Sequence, residues 1–449
     1  MKKFDLFIIG TGVSGTAIAN ACAREGLTVG ITDERPYGGT CVMRGCIPKK
    51  VIFHVSKVLE SAARLKGKGI DRLPSANWRD LIAFKQTFVD PIPASKENNF
   101  QKNGITTLHG PAKFLSDNQL QIGTDTIEAG KIVIATGAKP RNLGIPGEEQ
   151  ALTSDDFLDF KELPSSLLFI GGGYISFEFA HMAARCGAKV TIIHQGDQPL
   201  ENFEQDIVKH LVRATRNLGI ELILDTEVTG IKKTGPAYTV TAKDKQGRSA
   251  AYEAEAVFNT SGRVPAIRNL DLDKAGISYS KKGIEVNEFL QSTSNPRIYA
   301  AGDASASAGL PLTPLASAEA NIVAANVLKG NHQKAEYPEM PTVVFTLPVL
   351  ASVGYTEKQV IDRGISFRVN QASVPHWFSA KSIHAEEYAY KILIEKDSEK
   401  ILGAHLLGPH AEETINLFAM AIQAGMTTSG IRNLILTFPS SASDISSMV

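Results

Sequence analysis

The sequence predicts an α/β protein with two doubly wound, parallel-sheet domains and a separate C-terminal α+β domain. Three observations carry this expectation. Two strand–glycine loop–helix–strand units recur, one near the start of the chain and one from Leu167. Short Val/Ile runs are set among 38 glycines, which suits strands and tight turns rather than a helical array. From Tyr337 the pattern changes to alternating strands followed by one amphipathic helix.

The chain has 449 residues, too many for one core. Its 47 basic side chains balance 47 acidic ones, so neither nucleic acid nor an anionic membrane is an expected partner. Four cysteines exclude a disulfide-stapled secreted scaffold. Met1-Lys2-Lys3 leads into a run too short for a signal peptide, and no apolar segment approaches the roughly 20 residues of a membrane span. A cytoplasmic setting is therefore expected.

Residues 4–9 read as a buried parallel strand. Gly10-Thr11-Gly12-Val13-Ser14-Gly15 follows, then a helix over 16–24, a strand over 27–32, and Asp33. Glycines at Gly10, Gly12 and Gly15 let the backbone approach a pyrophosphate seated on the helix N-terminus, with Ser14 among them. An acid about twenty residues on, here Asp33, suits a ribose hydroxyl. This is the pattern of a dinucleotide site.

The next stretch is Gly38-Gly39-Thr40-Cys41-Val42-Met43-Arg44-Gly45-Cys46-Ile47-Pro48-Lys49-Lys50. On a regular helix, five steps would separate the cysteines by ~7.5 Å along the axis and ~140° around it. A disulfide wants α-carbons about 4.4–6.8 Å apart, so a bridge requires a distorted helix start. Gly45 and Pro48 supply the distortion. Arg44, Lys49, Lys50 and a helix N-terminus favour a thiolate. The pattern reads as redox-active; two buried structural cysteines or half of a zinc site are the other readings. Cys22 and Cys186 stand alone in expected helices, which leaves zinc short of ligands, and no metal site is expected.

A helix is expected over 47–65, a polar helical region to Asn103, and short strands near 106–108 and 120–122. Residues 131–137 read as a strand running into the turn Thr136-Gly137, and Pro140 and Pro146 mark a linker. The second unit then begins: a strand over 167–170, Gly171-Gly172-Gly173-Tyr174-Ile175-Ser176, a helix over 177–185, and a strand over 189–193 ending at His194. Gly171, Gly173, Tyr174 and Ile175 are its candidate nucleotide contacts. Two fingerprints imply two dinucleotides. An acid at the strand end would repel a 2′-phosphate. Here His194 stands there, and a histidine can donate to a phosphate, so NADPH is expected over NADH, with Asp197 counting against it.

Residues 205–260 are expected to complete the second fold with alternating strands. Gly262 ends a second strand-to-glycine turn. Asp303, after Gly302 at the head of a helix, suits either a flavin's sugar chain or an ordinary N-cap. Strands are expected over 343–345, 366–371, 388–395 and 401–407, and a helix over 411–424, a domain that suits an oligomer interface.

Taken together, these motifs resemble the class I pyridine nucleotide-disulfide oxidoreductases, the family of glutathione reductase, dihydrolipoamide dehydrogenase and mercuric reductase, over almost the whole chain. The resemblance implies FAD on segments 1–148 and 264–335, NAD(P)H on 149–263, and a homodimerisation domain over 336–449. It implies that Cys41 is the interchange thiol and Cys46 the thiolate against the flavin. Lys50 would lie near the flavin's reactive nitrogen with Glu178 as its ion-pair partner, and Tyr174 would gate the flavin. Asp33 and Asp303 would contact FAD, along with Gly39, Thr40, Thr136, Gly137 and Gly262. A cation such as Lys50 would stabilise charge developing on the reduced flavin.

The departure is C-terminal. Where family disulfide reductases carry His-Pro and then glutamate, this chain reads Leu436-Thr437-Phe438-Pro439-Ser440-Ser441-Ala442-Ser443-Asp444. Phenylalanine transfers no proton, and general acid–base catalysis contributes about 10²–10⁴-fold. Efficient glutathione or lipoamide turnover is therefore not expected. The terminal cysteine pair of mercuric reductase is absent too. Other candidate acids are His376, His384, His405, His410 and Asp444, and Met43, where the family commonly has asparagine, makes the site more apolar. The expected function is an FAD-dependent NAD(P)H oxidoreductase reducing Cys41–Cys46 and then a small-molecule disulfide or other acceptor. The alternatives are direct transfer from the flavin to a quinone, metal ion or oxygen, and a redox sensor.

Overall fold

The protein, described here from a computed structural model, is placed from Met1 to Val449. It divides into two compact units. The first comprises Met1–Lys50, Ala83–Arg141 and Arg263–Tyr337; the second comprises Val51–Ile82, Asn142–Gly262 and Pro338–Val449. Sequence reasoning assigned 51–82 to the first nucleotide-binding segment, whereas its contacts place it in the second unit. No helix is long and apolar enough to cross a membrane.

In the first unit, parallel strands run in the order Thr106–His109, Val29–Asp33, Lys2–Ile9, Asp125–Ile134 and Ile298–Ala300. Leu6 and Ile8 bury into one face of this sheet with Ile18, Ala19 and Val323, while Phe7 and Ile9 bury into the other with Ile132 and Ile134. Alternate side chains point to opposite faces, so a strand covered on both sides reads as a continuous apolar run. An antiparallel extension, Gln119–Ile122 and Ala112–Phe114, completes the sheet. The helices Val13–Arg24 and Thr313–Lys329 pack together beside it.

The second unit holds a parallel sheet in the order Glu221–Ile223, Lys189–Ile193, Ser166–Ile170, Ala256–Asn259, a three-stranded antiparallel sheet over Thr226–Ala254, and a five-stranded antiparallel sheet. The last runs Thr342–Val344, Val349–Gly354, Ile401–Gly408, Ala389–Glu395, Phe367–Ser373. Two elements differ from the sequence-based expectation. Residues 205–217, expected as strand, form the helix Gln205–Asn217, with Ile207, Val208, Leu211 and Thr215 buried at helical spacing. Val349–Gly354 is a central strand that sequence reasoning passed over.

The Gln205–Asn217 helix packs against the strands Ala389–Glu395 and Ile401–Gly408, which makes the second nucleotide-binding segment and the C-terminal sheet one unit. At the helix start, the buried Lys391 ammonium binds Glu204 (3.0 Å), Asp206 (2.7 Å) and Glu357 (2.5 Å). Its cross-strand partner His405 is buried, with Nε2–H donating to Tyr355 O (3.0 Å), and burial pushes its pKa down to about 4.

Candidate functional site

Gly38 and Gly39 adopt φ of 133° and 71°, in the left-handed region that glycine tolerates. A Cβ on Gly39 would stand 2.4 Å from Gly12 Cα, so the cysteine stretch lies directly on the first fingerprint loop. Hydrogen bonds join the same parts. Asp33 Oδ2 accepts from Thr11 N–H (2.8 Å) and Thr11 Oγ1–H (2.7 Å), and Thr11 Oγ1 accepts from Gly38 N–H (3.1 Å). Asp33 Oδ1 accepts from Arg35 N–H (3.0 Å). Asp33 thus organises the loop as well as standing at the expected ribose position. Sequence reasoning missed Thr11, although its place inside the glycine motif was a readable signal.

A short helix, Gly39–Arg44, carries Thr40 and Cys41, and the chain breaks at Gly45 before the helix Cys46–Arg64 begins. A Cβ on Gly45 would stand 2.9 Å from Thr40 O, so the break requires glycine. This is the distortion that the spacing demands: Cys41 and Cys46 come within hydrogen-bond reach of each other. Cys46 is exposed and Cys41 half-buried. The hydrogen bond from Cys41 is the main influence that lowers the Cys46 pKa to about 6, aided by Thr313 and Lys49 against the cost of burial. That same hydrogen bond, then burial, pushes the Cys41 thiol up. The two thiols are thus driven apart, Cys46 towards the thiolate and Cys41 towards the protonated form.

Thr313 opens the 17-residue helix Thr313–Lys329, with its hydroxyl 3.6 Å from Cys46 Sγ. Sequence reasoning gave Thr313 no role; an ordinary helix start offers no local hint of a contact 267 residues away. Lys50 lies four residues after Cys46 on the same helix, at a spacing that shares a face. Met43 lies against Gly38, where a Cβ would stand 2.8 Å from Met43 Cγ.

The residues around this stretch fit a flavin dinucleotide. A Cβ on Gly10 would stand 2.3 Å from Ala135 O, and one on Gly15 would stand 1.9 Å from Gly10 O. Thr136 Oγ1, before the left-handed Gly137, is buried without a hydrogen-bond partner. Burial raises the Asp303 carboxyl pKa, opposed by nearby Arg263. The turn carrying Asp303 is fixed by the buried Glu319, which accepts from Gly302 N–H (2.7 Å) and Tyr337 Oη–H (2.9 Å). Ser14 donates its hydroxyl to Ala316 O (2.8 Å), so its side chain ties the loop to the Thr313–Lys329 helix.

In the second unit, Gly171 has φ of 121°, and a Cβ there would meet Thr260 O at 2.6 Å. Gly173 caps the helix Tyr174–Arg185, whose first residues are the half-exposed Tyr174 and Ile175. Glu178 is buried, with Oε1 accepting from Phe345 N–H (2.8 Å). Gly262 has φ of 132°.

His194 corrects an expectation. Its Nδ1 accepts from Gly172 N–H (3.1 Å) and its Nε2–H donates to Gln198 O (3.1 Å). Both ring nitrogens are engaged, so the ring braces the loop and has no free donor for a 2′-phosphate. The basis for expecting NADPH therefore falls away.

The C-terminal candidates also resolve. Phe438 is 80% exposed and Ile435 fully so. Asp444 accepts from Ser379 Oγ–H and from the buried Tyr388 Oη–H (2.9 Å), which makes it an anchor of its own segment. His405 is buried and doubly bonded, with Nδ1 3.1 Å from Ser352 Oγ. His376, His384 and His410 are exposed. Trp377 packs on Tyr388 and Tyr390, at ring-centroid distances of 6.0 and 5.7 Å.

Comparison with known proteins agrees with this geometry. Residues 4–320 match the family model described as pyridine nucleotide-disulphide oxidoreductase, and residues 340–449 match that family's dimerisation domain. The chain is 32% identical over 426 residues to a glutathione reductase from Burkholderia cepacia, covering 94% of this chain and 93% of that one. It is 29% identical over 452 residues to a dihydrolipoyl dehydrogenase from Haloferax volcanii, covering 98% and 94%. Among solved structures, the Cu(II) complex of the HOCl-induced flavoprotein disulfide reductase RclA from Escherichia coli superposes with a TM-score of 0.88 at 28% identity, covering 100% of this chain and 99% of that one. The chain belongs to the pyridine nucleotide-disulphide oxidoreductase family and is an FAD-dependent oxidoreductase that uses NAD(P)H.

Proposed function

We propose that the protein acts as a cytoplasmic homodimer that cycles Cys41 and Cys46 between disulfide and dithiol, and hands the electrons to an acceptor needing no proton from the C-terminal segment. The observation that carries this reading is the juxtaposition of Cys41 and Cys46 across the break at Gly45, with Thr313 Oγ1 3.6 Å from Cys46 Sγ and Lys49 nearby favouring a Cys46 thiolate. FAD supplies the two-electron relay between NAD(P)H and the cysteines. Reduction of the Cys41–Cys46 bond takes two electrons and one proton, leaving the thiol Cys41 and the thiolate Cys46. Thr313 and the start of its helix hold the negative charge on Cys46. When Cys41 attacks an acceptor, Cys46 is the group placed to take its proton. The dimer reading is supported by the dimerisation-domain match and by the exposed Ile435 and Phe438.

Phe438 offers no proton and Asp444 is held by Ser379 and Tyr388. This favours an acceptor whose reduction releases no basic thiolate, such as a disulfide of acidic thiols, over glutathione or lipoamide. A second reading, reduction of a metal ion such as Cu(II), draws support from the likeness to a reductase determined as a Cu(II) complex. NAD(P)H-driven turnover with aromatic disulfides, glutathione disulfide and Cu(II) tests both. Activity that vanishes in Cys41→Ser supports the dithiol cycle. Activity retained in that variant would contradict it.

A further inference from the structure

With both nitrogens of His194 engaged, another group must read the adenosine ribose of the nicotinamide cofactor. We propose that Glu201 does so: its carboxylate, delivered over the second fingerprint by the 194–204 loop, recognises a ribose 2′-hydroxyl and makes NADH the preferred donor over NADPH. This rests on the NAD(P)H reading and names which of the two nucleotides that site takes.

The loop is built for this delivery. Leu200 takes φ of 53°, rare for a branched side chain, and its N–H donates to Gly172 O (2.9 Å). The chain therefore turns back across the fingerprint just before Glu201. Glu201 Oε1 lies 3.6 Å from His194 Nε2, at the end of the strand Lys189–Ile193 where a ribose-binding acid belongs, and its side chain is 69% exposed. A Cβ on Gly196 would stand 3.3 Å from the same oxygen, so glycine keeps room for it.

The surrounding charge points the same way. Residues 194–203 contain Asp197 and Glu201 and neither lysine nor arginine, and Glu204 beyond them is buried against Lys391. Lys245, which faces this region, is paired with Asp225 and also feels Asp197. A doubly charged 2′-phosphate would meet the carboxylates of Asp197 and Glu201, whereas a hydroxyl can donate to Glu201.

Calorimetric titration of the FAD-loaded enzyme with NAD⁺ and NADP⁺ tests this, with Glu201→Gln and Glu201→Arg as variants. A hydrogen bond to a charged group corresponds to about 10–100-fold in affinity. The wild type should bind NAD⁺ at least about tenfold tighter; Glu201→Gln should remove most of that ratio, and Glu201→Arg should reverse it. Tighter NADP⁺ binding by the wild type, or an unchanged ratio in Glu201→Gln, would overturn the assignment while leaving the NAD(P)H reading intact. Binding of neither nucleotide would overturn both.

Discussion

The two glycine fingerprints solve one problem with different chemistry. In each, the residue closing the second strand accepts a hydrogen bond from the N–H of the second loop residue: Asp33 from Thr11, and His194 from Gly172. The carboxylate has capacity for more, so Asp33 also gathers the Thr11 hydroxyl and Arg35 N–H and, through Thr11, reaches Gly38 beside the cysteines. The imidazole has two nitrogens and uses both. At the sixth position the first loop needs Gly15, with no space for a Cβ, while the second holds Ser176, whose hydroxyl donates to Gly171 O (2.5 Å) and lies 2.7 Å from Thr260 Oγ1. The first loop is tied to the cysteine stretch through Gly38, and the second closes on itself.

The largest way to break the comparison is at the sixth position. Gly15→Val, with Cβ 1.9 Å from Gly10 O, should destabilise the protein by about 4 kcal/mol or more and abolish flavin retention, read from the flavin absorbance of the purified protein. Next comes the anchor of the second loop. Lys391→Met leaves Glu204 buried without its cation and should cost about 3–5 kcal/mol, measured by denaturant unfolding. The wild type should also lose stability as the pH falls from about 4 towards 2. Hydrogen bonds from Lys209 and Lys391 hold the Asp206 pKa down to about 2, so its contribution is present above its ordinary value of 3.8 and is lost below. The variant should lose part of that slope.

Asp33→Ala strands the Thr11 N–H and should cost about 1.5–3 kcal/mol, weakening FAD retention about 10–100-fold, while His194→Ala should cost about 1 kcal/mol. An equal effect of the two would mean that the two loops depend alike on their strand-end residues. The smallest effect is expected for Ser176→Ala, about 0.5 kcal/mol, because a hydroxyl bond is lost and the loop is otherwise unchanged.

Legibility followed the range of the interactions. Both fingerprints could be read because glycine positions and buried strands are local demands, and the break at Gly45 followed from the five-residue spacing. Thr313 and Glu319 could not be read, since each acquires its role from a partner distant in sequence. The helix Gln205–Asn217 was misread because its apolar residues lie among strand-like surroundings, and Val349–Gly354 was hidden by Pro348 before it and by the small Ala351 and Ser352 within it. His194 shows the limit on chemistry. Its residue type suggested a free donor, and only its two hydrogen bonds reveal that none remains.

Anaerobic reduction of the FAD-loaded protein by NADH, followed by absorbance and by alkylation of the freed thiols across pH, decides whether electrons reach the cysteines. The expected result is a long-wavelength thiolate–flavin band whose intensity, like Cys46 modification, falls away below a midpoint near pH 6. Bleaching of the flavin without that band, with both cysteines unmodified, would show that the electrons never reach Cys41 and Cys46 and would contradict it.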